Sequence, residues 1–231
     1  MIMNKQVLIF CILAVGLIAC SKDNSLNTRA QIKFINASIN APKLELFADG
    51  ALLATDIAYP NASSYLFVSP GNASLRIAAL DGPFPGLTIA NGTFNVQEFE
   101  IYSFIITDSL NKLKSSFFKE DVSSAGDGKS KIRFFHLAQN TATTNVFLNN
   151  VKIDSNRVFN DQSTNTATHK FSTYNAGLVQ LQVKDVAGNT IASLPNFNLE
   201  SNKIYTVVLK GSPSAAANTP QAIGITVLPY N

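Results

Sequence analysis

Two histidines, His136 and His169, are all that this chain of 231 residues offers for proton transfer near neutral pH. A Ser-His-Asp triad or a three-histidine metal site cannot be assembled around so few. His136 continues the alternation of Ile132 and Phe134, so a hydrogen-bonded residue at a strand end is the expectation. Glu98 and Glu100 lie two apart on one strand face, and Glu120 and Asp121 sit together at the end of a neighbouring strand. They read as solvated edge charges rather than as a glycosidase pair. Acids nowhere recur at calcium-loop spacing. Gly126-Asp127-Gly128-Lys129-Ser130 has the ending of a phosphate-binding loop. Ser123 stands where its first glycine belongs, however, and a strand follows instead of a helix. No catalytic residue, metal site or cofactor is assigned, and the reading is of a protein that is not an enzyme.

The remaining chemistry is covalent modification and contact. Cys11 and Cys20 are the only cysteines, so no disulfide framework or thiolate is available after residue 20. Val7 to Ala19 is an apolar run with the length of a signal-peptide core, too short to span a bilayer comfortably. It ends in Leu17-Ile18-Ala19-Cys20, which resembles the lipobox of bacterial lipoproteins. The resemblance implies removal of residues 1–19 and acylation of Cys20, a membrane anchor far firmer than a single myristoyl chain. Ser21 resembles the residue of lipoproteins sorted to the outer membrane. Lys22-Asp23 partly resembles a surface-export signal of Bacteroidetes lipoproteins. Asp108-Ser109-Leu110 resembles the O-glycosylation motif of the same group, which implies a glycan on Ser109. Phe84, held between Pro83 and Pro85, is the aromatic expected near solvent, where it would stack on a sugar or fill a partner's pocket.

The elements that must carry these residues are strands. Apolar residues make up 46% of the chain and charged ones 14%, enough for real cores with an unusually uncharged surface. A net charge of +3 and the lack of any basic run argue against nucleic acid. Short alternating segments recur about every ten residues, separated by turn signals such as Asp49-Gly50, Pro70-Gly71 and Asp81-Gly82-Pro83. The pattern predicts a β-sandwich.

It predicts the sandwich twice. Ile32-Lys33-Phe34 returns as Ile132-Arg133-Phe134, and Phe47 as Phe147. Leu75-Arg76-Ile77 returns as Leu181-Gln182-Val183, Phe94 as Phe197, and Tyr102 as Tyr205. Lys170 to Ser172 matches Tyr65 to Phe67 loosely. The offset grows from 100 to between 102 and 106, as loop insertions would make it grow. The expected organisation is a signal peptide over 1–19, a tether over 20–29, a first sandwich over 30–121, a linker over 122–129 and a second sandwich over 130–231. The fold class is all-β, two tandem immunoglobulin-like antiparallel β-sandwiches. Within each first strand, Ile and Phe should face inward, and Lys33 and Arg133 outward to solvent.

The run Phe34-Ile35-Asn36-Ala37-Ser38, Ala41-Pro42, Leu44, Leu46-Phe47 and Asp49-Gly50, followed by Tyr65, Pro70-Gly71 and Tyr102, resembles the DUF4397 family from Ala30 to about Thr107. The second unit resembles it more loosely. That family occurs in bacterial secreted proteins and lipoproteins, and it implies a sandwich and no catalytic residues. The expected function is an acylated outer-membrane lipoprotein acting as a binding or structural module, with a glycan or an envelope protein as partner. The rivals are an accessory glycan-binding lipoprotein of a polysaccharide-uptake system and an envelope hydrolase.

Overall fold

The computed structural model describes residues 29–230. Cys20, its lipobox and the residues of the expected signal peptide and tether up to 28 lie outside the described residues.

Sixteen strands follow one another. The first eight are β1 (Ala30–Ala37), β2 (Leu44–Ala48), β3 (Ala51–Ile57), β4 (Ala62–Val68), β5 (Gly71–Ala79), β6 (Thr88–Val96), β7 (Ile101–Thr107) and β8 (Lys114–Lys119). The next eight are β9 (Lys129–His136), β10 (Thr144–Leu148), β11 (Val151–Arg157), β12 (Ser172–Asn175), β13 (Gly177–Asp185), β14 (Thr190–Leu199), β15 (Ile204–Lys210) and β16 (Gly224–Pro229).

They form four sheets of four strands. In the first unit an inner sheet, β4-β1-β7-β8, faces an outer sheet, β3-β2-β5-β6. In the second unit the orders are β12-β9-β15-β16 and β11-β10-β13-β14. The two arrangements match strand for strand. Pairing is antiparallel except between β1 and β7 and between β9 and β15, which run parallel.

The repeat holds at single-residue level. Ile32 pairs with Tyr102 as Ile132 pairs with Tyr205, and Ala48 pairs with Leu75 as Leu148 pairs with Leu181. The Tyr102 hydroxyl accepts from the Gln97 amide as the Tyr205 hydroxyl accepts from the Glu200 amide. Asp49-Gly50 and Asn149-Asn150 both take positive φ at the two turn positions, the conformation of a tight hairpin. One match slips. Ser172 pairs with Ile132 as Leu66 pairs with Ile32, so Phe171 to Thr173, not Lys170 to Ser172, correspond to Tyr65 to Phe67.

Each unit has its own core. Ile32, Phe34, Leu46, Leu75, Ile77 and Phe104 fill the first. Ile132, Phe134, Val146, Leu181, Val183 and Val207 fill the second. A third cluster joins Ile35, Ala37 and Ile105 of the first inner sheet to Phe135, Leu137 and Val208 of the second. The two inner sheets therefore pack face to face, and the molecule is a stack of four sheets.

This third layer overturns the expectation for Lys33 and Arg133. Both point away from their own sandwich, as the alternation requires, but that face is covered by the other unit, and they are only 7% and 3% exposed. Glu120, expected as a solvated edge charge, is 4% exposed for the same reason.

Candidate functional site

The buried charges form one network in the seam between the units. Arg133 Nη1 and Nη2 donate to Glu120 Oε2 and Oε1 at 2.5 and 2.6 Å. Its Nε donates to Thr206 Oγ1 at 2.9 Å, and Nη1 also reaches the His169 carbonyl. Nη2 donates to the Tyr230 hydroxyl, so all five N–H donors of the guanidinium are used. Tyr230 donates in turn to Glu120, and Ser103 lies 2.8 Å from the same hydroxyl. Lys33 donates to the Pro229 carbonyl and lies over the rings of Tyr65 and Tyr230. Burial pulls the Lys33 pKa down to about 8, opposed by Glu120, and pushes the Tyr65 and Tyr230 phenols up. With the Arg133 and Glu120 side chains wholly shut from solvent, this network is a lock, not a binding site.

The open site lies in the second unit. Between β3 and β4 the chain needs only residues 58–61, but between β11 and β12 it runs through 158–171. Ile57 and Arg157 occupy equivalent places 100 residues apart, whereas Leu66 and Ser172 are 106 apart, so six residues are inserted. The extra chain forms two short 3₁₀ turns, Asp161–Ser163 and Thr166–His169. It props the sandwich open into a groove of about 580 Å³.

Arg157 forms the floor. It is 5% exposed, and its guanidinium is clamped by Asp154 at 2.5 Å and by both oxygens of Asp161 at 2.6 and 2.8 Å. Beneath, it lies over the Phe134 ring at 5.3 Å. Asn156, Asn165, Thr168, Lys170 and Tyr174 complete the polar wall. The inserted turns are held firmly. The Asn165 side chain accepts from the Ala167 amide, and His169 Nε2 meets the Gln162 carbonyl at 2.8 Å. The His169 ring stacks on Phe118 of the first unit at 3.8 Å. Thr107 of the first unit donates to Asn160 at 3.0 Å. Burial lowers the pKa of His169 and, more deeply placed, of His136. His136 ends β9 with Nε2 facing the Ala142 carbonyl at 3.4 Å.

The residues expected to make contacts lie elsewhere. Phe84 is 66% exposed, and it lines a shallow apolar hollow of about 440 Å³ with Pro42, Pro83, Leu87 and Leu110. It is not alone near solvent, since Phe99 and Phe67 are 68% and 53% exposed. Ser109 is half-buried beside the same hollow. Its hydroxyl donates to Asn111, and the next amide, of Leu110, donates to Asn40. Phe84 and Ser109 therefore share one end of the first unit, while the groove belongs to the second. No three His, Cys, Asp or Glu side chains among the described residues are grouped to hold a metal.

The model of a domain of unknown function, DUF4397, matches residues 30–147, just over half of the chain. The chain belongs to the DUF4397 family. The match covers the whole first unit, crosses the connecting segment and ends within β10. No curated protein matches the chain. Among solved structures, the chain is similar to a protein of Parabacteroides distasonis provisionally named for cell adhesion. The two share 10% identity over 88% of this chain and 99% of the other, with a TM-score of 0.26.

The groove was not singled out from the sequence. Its signal was the growth of the offset from 100 to 106 between β11 and β12, together with the polar content of the added residues.

Proposed function

We propose that this DUF4397 protein is a non-catalytic binding module, anchored in the outer membrane through an acylated Cys20, and that its ligand enters the groove between β11 and the 158–171 segment. One observation carries the reading: Arg157 in the groove is clamped on both sides by this chain's own Asp154 and Asp161. A wall fixed before binding loses little freedom when a ligand arrives, and that is what makes a polar groove useful for recognition. An arginine shared by two carboxylates is a structural clamp, unlike the acid and nucleophile of a glycosidase. The lipobox at Leu17-Ile18-Ala19-Cys20 supports the anchor, and Ser21 supports the outer membrane. The test is to probe oligosaccharide and peptide arrays with the full chain. Retention of a ligand that Tyr174→Ala releases and Phe84→Ala does not is the expected result. Retention that depends on Phe84 instead would move the site to the apolar hollow and refute the reading.

A further inference from the structure

The groove's chemistry narrows the class of its ligand, on the premise that the groove is the binding site. Its charges balance. Asp154 and Asp161 stand against Arg157 and Lys170, and Arg133, which also borders it, is neutralised by Glu120. An anion entering would meet two carboxylates, and a cation would meet the guanidinium and the ammonium, so neither is drawn in by a net field.

What remains is hydrogen bonding without charge. Asn156 offers a donor and an acceptor side by side, Asn165 offers its amide donor while its oxygen caps the Ala167 amide, and Asp154, whose side chain is 34% exposed, keeps lone pairs beyond those taken by Arg157 and the Ser155 amide. Such planar groups match pairs of neighbouring hydroxyls. Tyr174 and Ile153 border the same space and supply a ring and an apolar patch for a C–H face.

A peptide added as a further strand fits less well. β12 has only four residues. β11 is irregular where an edge-adding strand would need a straight ladder: its pairing with β10 shifts register twice, and Asn156 sits at φ 55.

The first unit gives an internal comparison. Its short 58–61 connection lets β3 and β4 lie close together. The second unit gains the groove through an insertion whose Asp161, Asn165 and Thr168 line it, and whose turns are pinned to the first unit by Phe118 and Thr107.

We infer that the groove between β11 and the 158–171 segment takes a neutral, polyhydroxylated ligand, a segment of a saccharide chain, held by Asn156, Asn165 and Asp154 with Tyr174 against a sugar face.

The test uses the full chain in a non-glycosidic detergent against neutral, acidic and basic oligosaccharides and against peptides, with affinities from calorimetry. Neutral oligosaccharides should bind. Tyr174→Ala should weaken them at least tenfold, about the loss of one good ring contact. Tyr174→Phe should retain most affinity, which assigns the contact to the ring and not the hydroxyl, and a circular-dichroism melt of Tyr174→Ala separates lost stacking from lost folding. Asn156→Ala, which leaves the Arg157 clamp intact, should also weaken binding while leaving circular-dichroism melting near that of the unaltered protein. Peptides bound in a Tyr174-dependent way, with no saccharide bound, would overturn the ligand class but leave the groove as a binding site. Saccharides bound equally well by Tyr174→Ala and Asn156→Ala, or nothing bound in a groove-dependent way, would overturn both.

Discussion

Arg133 on β9 grips Glu120, the residue after β8, with both of its terminal nitrogens, and neither side chain has any solvent exposure. The pair spans the two sandwiches. It is surrounded by Phe135 and Phe171, each ring 4.4 Å from the guanidinium carbon, and by Tyr230 from the end of the chain. Buried ion pairs are not in themselves a source of stability, because desolvation opposes the attraction. Breaking one is costly all the same.

Glu120→Ala should therefore destabilise the whole protein by about 3–5 kcal/mol, since it leaves a buried guanidinium without its counter-charge. A paired replacement, Glu120→Leu with Arg133→Met, should recover most of that loss. Urea unfolding measures both. A loss below about 1 kcal/mol for Glu120→Ala would show that water reaches the seam and that the units do not close on each other.

Lys33 gives the seam a pH signature. Burial lowers its pKa from 10.5 to about 8, so between these values the unfolded chain holds a proton that the folded chain has released. Stability then rises with pH across that window, and the penalty of charging a buried lysine is fully present below it. Tyr65 and Tyr230 act the other way, because burial pushes their phenols up and stability falls once the unfolded chain begins to lose those protons near pH 10, so the Lys33 rise is read below that pH. Thermal melting from neutral pH to about pH 10 should show this rise in the unaltered protein and a flatter curve in Lys33→Met. Equal slopes would mean that Lys33 is solvated.

Phe34→Ala and Phe134→Ala should each cost about 3–5 kcal/mol, as truncation of a buried phenylalanine does. Each lies in the core of its own unit, 0% and 3% exposed. The sequence sets Lys33 and Arg133 beside them as tolerant surface positions, and the structure reverses that. Arg133→Ala should cost more than the roughly 0.5 kcal/mol of an exposed substitution. A melting series of the three variants decides it. Harmless change at Arg133 would restore the solvent-facing assignment.

That reversal marks the boundary of what the sequence made legible. Alternation placed Ile32 and Phe34 on one face and Lys33 on the other, and both placements hold. Alternation says nothing of what covers the second face. A hint was present in Phe34-Ile35, Phe134-Phe135 and Phe104-Ile105-Ile106, since consecutive apolar residues are the mark of a strand buried on both sides. The repeat was readable because hairpin residues such as Asp49-Gly50 and anchors such as Tyr102 are local. The seam was not, because Glu120, Arg133 and Tyr230 meet through the docking of two units, which no periodicity records. The groove lies between these cases: its insertion is visible in the offsets, but its opening depends on how 158–171 folds back.

The anchor is tested separately. Cys20→Ser should block acylation and leave unprocessed precursor, and mass spectrometry of membrane fractions reads both. Membrane retention of the unaltered protein without lipid mass would remove the anchor from the account.

The binding claim is tested most directly by hydrogen–deuterium exchange of the full chain with and without an oligosaccharide that it retains. Protection should appear in 153–157 and 161–174, where the groove wall lies, and exchange around Phe84 should stay unchanged. Protection of the 80–89 segment with an unaltered groove would contradict the assignment.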